Sequence, residues 1–268
     1  MSDLRSRGLA PSGIGGVALL LAVTSTGWGA SHRTANFKVD VPGGTPEMAR
    51  RIADQAEESR REIALLWLGE ELPPWPRPCP IKVKLTGGEA GGVTSFNFDQ
   101  GRVSGQEMSV EGRIDRILAS ALPHEVTHTV FAAYFGGPMP RWADEGASLL
   151  SEDDRELLRH DRIVAQLFER KGEFPLGRLF QMEQYPRDLM GFYGQGYSVS
   201  RFLIEVGGRP RFLGFVRDGM KKGWDQATKA HYGWADCREL DRAWKSWHRV
   251  VIATRSDQAP LVVRADSD

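Results

Sequence analysis

The spacing of apolar and polar positions changes character along the chain. "FKVDV", residues 37–41, alternates with the two-residue period of a half-buried strand, and "IKVKLT", residues 81–86, repeats that pattern between a proline-rich stretch and two glycines. Between them "PEMARRIADQAEESRREIALLWLG", residues 46–69, has helical spacing and predicts a long amphipathic helix. "VTSFNF", the turn "DQGR" and "VSGQEMSV", residues 93–110, predict a hairpin. From about Arg113 the period is helical again, with Ile114, Ile117, Leu118, Ala121 and Leu122 on one face. Pro123 interrupts this run and either opens a new helix at its first turn or kinks a continuous one. The remainder is mostly helix, with breaks expected near 172–175, 207–210 and 233–236. The expected class is α+β: a small N-terminal mixed sheet with a hairpin over residues 31–112, then a helical region over 113–255, together one domain, with a disordered tail at 256–268.

The N-terminus departs from this pattern. Arg5 and Arg7 precede the apolar run "IGGVALLLAV", residues 14–23, and small residues follow in "TSTGWGAS", the three-part layout of a secretory signal over residues 1–30. The run is too short to span a bilayer comfortably, so no membrane span is expected after cleavage; an uncleaved or lipid-facing anchor is the alternative. Export to a periplasmic, extracellular or envelope location follows. Without residues 1–30 the chain carries 33 basic and 34 acidic residues, a balance that argues against nucleic acid as a dedicated partner. Composition is otherwise ordinary for a globular protein, at 41% hydrophobic and 26% charged residues. Oligomeric state is not legible at this level.

Candidate chemistry is concentrated at "LPHEVTHTVF", residues 122–131. On a helix His124 and His128 lie one turn apart on one face, so both rings can address a single ion. Glu125 then points beside that ion, where a carboxylate can hold and deprotonate a water. A shuffled chain of this composition would contain His-Glu-x-x-His only about once in a hundred, so chance is a poor account. Catalytic zinc sites use three protein ligands, and the next segment has to supply the third. "AAYFGGPMPRWADEGASLLSED" continues the helix to about Phe135, breaks at Gly136, Gly137, Pro138 and Pro140, and resumes near Arg141. His128 and Glu145 are roughly equidistant from this reversal, so Glu145 is the favoured third ligand. Asp144 would point about 100° away from it on the second helix.

"HEVTH" followed by "PRWADEG" resembles the gluzincin metallopeptidases, most closely the peptidase-MA-like families in which His-Glu-x-x-His precedes a Trp-x-x-Glu-Gly segment. The likeness runs from about Phe37 to about Val250 and includes "FYGQGYSVSRFLIEVGG" and "LDRAWKSWHRV". It implies a zincin-like catalytic region, one Zn²⁺ held by His124, His128 and Glu145, Glu125 as general base, and a peptide or protein substrate. Thermolysin-like members carry an Asp four residues after the ligand Glu; Leu149 stands there, which leaves the partner of His124 unassigned. Metzincins need a third His six positions after the second, where this chain has Tyr134. In related gluzincins a Tyr or His from a later helix supports the oxyanion, and "GFYGQGYSVSRFL" offers Tyr193 and Tyr197, with Tyr197 preferred; both could equally be packing residues. The alternatives are a noncatalytic zinc-binding scaffold and a helical protein with an accidental motif.

Other features read more plainly. The hairpin at 93–110 could offer an exposed edge to an extended peptide, or be an internal strand pair. Cys79 and Cys237 could pair in an exported protein, or be two buried free thiols. His160 reads as a surface or boundary histidine, while His32, His231 and His248 have no partner at ligand spacing. Trp244 and Trp247 are expected to pack a terminal helix, and the scattered Lys and Arg of residues 209–255 read as a solvated face.

Overall fold

A computed structural model describes residues 29–257. The expected leader at 1–30 and tail at 256–268 lie almost wholly outside the described residues. Where they overlap, Ala30 already belongs to a strand and the last helix reaches Asp257. The chain opens with β1 (Ala30–Arg33) and β2 (Phe37–Val41), then α1 (Pro46–Leu68), β3 (Cys79–Leu85), and the hairpin β4 (Gly91–Asp99) and β5 (Arg102–Gly112). The sheet order is β1-β2-β3-β5-β4, with β2, β3 and β5 mutually parallel and the two outer strands antiparallel to their neighbours. This is the mixed sheet with hairpin of an α+β fold. Strand β1 has only four residues and was not legible as a strand from its pattern.

Local chemistry accounts for these elements. The α1 start has Thr45 accepting from the Met48 N–H and Pro46 in the first turn, and its end has Gly69 at φ 81°. The hairpin turn places both Gln100 (φ 47°) and Gly101 (φ 75°) at positive φ, as a two-residue turn matching strand twist requires. In β3, Ile81 and Val83 are buried and Lys82 and Lys84 exposed, the latter two pairing with Glu107 and Glu111 on β5. One sheet face therefore carries cross-strand ion pairs. The apolar face meets helices, with Phe37, Val39, Ile81 and Met108 fully buried.

The helical half begins with α2 (Ile114–Arg116), a π-helical turn at Ile117–Ala121, and α3 (Leu122–Phe135). Pro123 thus sits in the first turn of α3, directly after the π-helical turn. It has no N–H and its ring would strike the carbonyl four residues back, and the wider turn closed by the Leu122 N–H to the Ile117 carbonyl accommodates it. Then follow α4 (Arg141–Ser148), α5 (Asp154–Glu169), α6 (Leu176–Leu179), α7 (Leu189–Lys222), α8 (Trp224–Tyr232) and α9 (Cys237–Asp257). Gly208 interrupts α7 at φ 76°, inside the expected break at 207–210. An aromatic chain ties the halves together: Trp67 of α1 meets Phe131 of α3 at 4.9 Å and Phe212 of α7 at 5.8 Å, and Phe212 meets Trp142 of α4 at 6.1 Å. Trp244 is buried with its indole N–H on Ser198, so it packs α9 as expected. Cys79 and Cys237 are both buried and free, which removes the disulfide alternative; burial pushes each thiol up to about 12.

Helices α4 and α7 cross at backbone contact. A Cβ added to Gly146 would lie 2.2 Å from the Gly196 carbonyl carbon, and one added to Gly196 would lie 2.5 Å from the Trp142 carbonyl oxygen. We predict that Gly196→Ala costs about 2 kcal/mol of unfolding free energy in a urea titration, since neither backbone can retreat from a packed core. A second prediction concerns acid. His248 stacks on Phe168 at 4.0 Å with no partner for Nε2, and burial holds it down to about 4 against the pull of Glu173. Its pKa unfolded is about 6.5, so the unfolded chain takes the proton first: stability is full above that value and is lost as pH falls from there towards 4. His248→Phe should remove that part of the acid decline in thermal melts recorded across this window.

Candidate metal centre

Three side chains from two helices converge. On α3 the Nε2 atoms of His124 and His128 lie 3.5 and 3.8 Å from one carboxylate oxygen, Oε2 of Glu145 on α4. The edge of a tetrahedron around an ion with bonds near 2.1 Å is about 3.4 Å, so these donors stand at close to ligand separation. Both imidazoles are fixed from behind. His124 Nδ1 is 2.8 Å from Glu152 Oε1 and His128 Nδ1 is 2.8 Å from Asp144 Oδ1, with Ser148 Oγ 3.3 Å from the latter nitrogen. A carboxylate can only accept, so each Nδ1 carries a proton and each Nε2 is turned towards Glu145.

Glu152 is the partner of His124 that the sequence left unassigned at Leu149. Leu149–Ser151 turns as a 3-10 helix after α4, Leu149 is buried, and Glu152 comes round behind the imidazole with Ser120 donating to its second oxygen at 2.9 Å. Arg116 anchors that segment by bonding Asp153, the N-cap of α5, and Glu156. Asp144, directed away from Glu145 as its spacing required, holds His128 from outside.

Glu125 is 4% exposed on the same α3 turn, and Thr94 of β4 donates to its Oε2 at 2.6 Å. Gly92 faces it: a Cβ there would come within 2.7 Å of Glu125 Oε1, so only glycine leaves the carboxylate its place. Burial raises the Glu125 pKa against the neighbouring imidazoles and the Thr94 hydroxyl. Burial would lower His124, but hydrogen bonds with Glu145 and Glu152 outweigh it and lift the ring to about 10. Burial would raise Glu145, yet the two histidines and the Tyr185 hydroxyl hold it down to about 2. His124 thus carries a positive charge between Glu145 and Glu152, the kind of charge a divalent cation would supply.

The tyrosines fall differently from expectation. Tyr197 is buried between α5 and α7, 5.8 Å from the His160 ring, with its hydroxyl 3.3 Å from Asp161, away from the cleft. One helical turn advances about 6 Å along α7, enough to carry that ring out of the cleft and into a helix interface. Tyr193 lines the cleft, its pKa raised first by burial and then by the Glu145 charge. Tyr185, which no periodic pattern marks, lies in the loop before α7 and donates to Glu145 Oε1 at 2.7 Å. Arg141 covers the Tyr185 ring at 4.3 Å.

His160 is buried rather than at the surface, and with Glu152 and Glu156 it forms a second group whose ligand atoms lie within 4.8 Å of one another. There the carboxylates are already taken: Glu152 by His124 and Ser120, Glu156 by Arg116 and Arg159. The first group, with both Nε2 atoms turned towards one Glu145 oxygen, is the better fit to a cation.

A cleft of about 1420 Å³ contains the site and is lined on one side by Gly91, Gly92, Val93, Thr94 and Phe96 of the edge strand β4. Compared with known proteins, the chain matches no family model and no curated protein. Replacing Glu152 with Gln should weaken the binding of an added divalent metal ion about 10- to 100-fold in competition with a chromophoric chelator, because His124 loses the carboxylate that orients it.

Proposed function

We propose that this protein is a zinc-dependent metallopeptidase of gluzincin type, peptidase-MA-like, that hydrolyses peptide bonds in an exported or envelope setting. The observation that carries this reading is the convergence of His124 Nε2, His128 Nε2 and Glu145 Oε2, with Glu125 buried alongside. Two imidazoles and one carboxylate, each imidazole held at Nδ1, form a donor set suited to zinc and leave a fourth position open. Bound there, zinc would activate a water and polarise a carbonyl.

The chain's own residues have distinct tasks. Glu125 takes the proton of the attacking water and returns it to the leaving amine; its raised pKa brings it nearer the pH at which both transfers are efficient. Thr94 keeps one carboxylate oxygen oriented and leaves Oε1 for the water. Tyr193 lines the Glu145 side of the cleft and supplies a hydroxyl where the carbonyl oxygen gains charge, while Tyr185 gives its proton to Glu145 Oε1 and holds that ligand. The free edge of β4 can pair with an extended peptide through main-chain hydrogen bonds and draw it across the site. No described helix is long and apolar enough to cross a membrane.

Metal analysis of the purified protein should return about one zinc per chain, sharply reduced in His128→Ala and Glu145→Ala. Glu125→Gln should keep its zinc and lose at least 100-fold in peptide hydrolysis. Zinc retained with hydrolysis unchanged in Glu125→Gln would favour the scaffold reading, and absence of zinc under metal-replete conditions would end both.

A further inference from the structure

Behind His124 the chain carries Glu152, Glu156 and His160 at a regular spacing of four residues. From Asp154 onward it is α5, so Glu156 and His160 share one helix face, and the 3-10 turn before α5 brings Glu152 to the same side. One ligand atom from each residue lies within 4.8 Å of the other two. All three line the cleft together with Ser120 and Arg159, so an ion can reach them from solvent. His160 is the unexplained member. It is 4% exposed, and its Nδ1 is buried without a hydrogen-bond partner. Burial lowers its pKa against the pull of Glu152 and Glu156, so the imidazole is neutral and keeps a lone pair.

The two carboxylates keep capacity for a cation although each already has partners. Every oxygen takes one donor, His124 and Ser120 on Glu152 and Arg116 and Arg159 on Glu156, and a carboxylate oxygen can accept two. Arg116 is buried and also bonded to Asp153, whereas the Arg159 side chain is 56% exposed and can leave Glu156 for water.

We propose that Glu152, Glu156 and His160 form a second divalent-cation site, separate from the one at His124, His128 and Glu145 and joined to it through Glu152. One imidazole nitrogen and two carboxylates suit Zn²⁺ or Mn²⁺. Ligands around such an ion stand about 3.4–4.2 Å apart at bonds near 2.1 Å, so side-chain shifts of about 1 Å close the group. It is the weaker of the two sites, because Arg159 has to give way. An ion there ties Glu152, and through it the His124 imidazole, to α5. This site stands whether or not the protein cuts peptides.

The test is equilibrium dialysis of the full-length protein against buffered Zn²⁺, with bound metal counted by mass spectrometry. The wild type should take up zinc in two steps, to about two per chain. His160→Phe, which keeps a ring in the buried position, should lose at least about tenfold in the weaker step and keep the tighter one. His128→Ala should do the reverse. Arg159→Ala, a change at an exposed side chain that leaves the core untouched, should tighten the weaker step about two- to fivefold by removing the competing charge. A second zinc that is unchanged in both His160→Phe and Arg159→Ala is an adventitious ion only and overturns the site. So does a wild type that stops at one zinc, lost in His128→Ala and kept in His160→Phe, an outcome that leaves the peptidase centre intact. One zinc kept in His128→Ala and lost in His160→Phe would support this site and remove the peptidase reading.

Discussion

Backbone contact between Gly146 and Gly196 sets the distance from which Glu145 reaches the α3 histidines. Any side chain at either position would push α4 away from α7. Because Trp142, one turn earlier on α4, is locked among Phe180, Phe212 and Phe215, α4 cannot compensate by tilting into its neighbours. A separation of 3.5–3.8 Å between donor atoms is thus a consequence of helix packing.

Electrostatics makes this arrangement costly without a cation. Glu125, Asp144, Glu145 and Glu152 gather around two imidazoles in a largely buried region, and the protein answers by raising His124 to about 10 and holding Glu145 down to about 2. Buried carboxylates at such spacing need positive charge, which a protonated imidazole or a divalent cation can provide. The π-helical turn before Pro123 belongs to the same economy of space. It shifts the start of α3 so that Ser120 meets Glu152 while His124, Glu125 and His128 keep ordinary α-helical spacing.

Strand β4 forms one wall of the cleft beside Glu125, with Gly91, Gly92, Val93, Thr94 and Phe96 lining it. The hairpin is held in place at its tip: Gly136 ends α3 at φ 63°, and a Cβ there would come 2.0 Å from the Gly101 carbonyl oxygen in the hairpin turn. The strand edge and the metal-holding helix are consequently one rigid unit.

Periodicity and capping were enough to read the strands at 37–41 and 81–86, helix α1 to within a residue, the hairpin turn, the reversal at residues 136–140 and the pairing of His124 with His128. Each of these depends on interactions between residues a few positions apart, which spacing records directly. Geometry around the site needed the folded chain. Glu152 replaces an expected carboxylate at 149 because a 3-10 turn rotates the backbone between them, and Tyr185 reaches Glu145 from a loop with no period to betray it. Tyr193 and Tyr197 share a helix face yet meet different neighbours, since what a helical position touches is decided by where α5 and the cleft lie along α7. Sequence spacing determined which side chains share a turn; only tertiary packing, through contacts between residues far apart in the chain, decided which of them share a site.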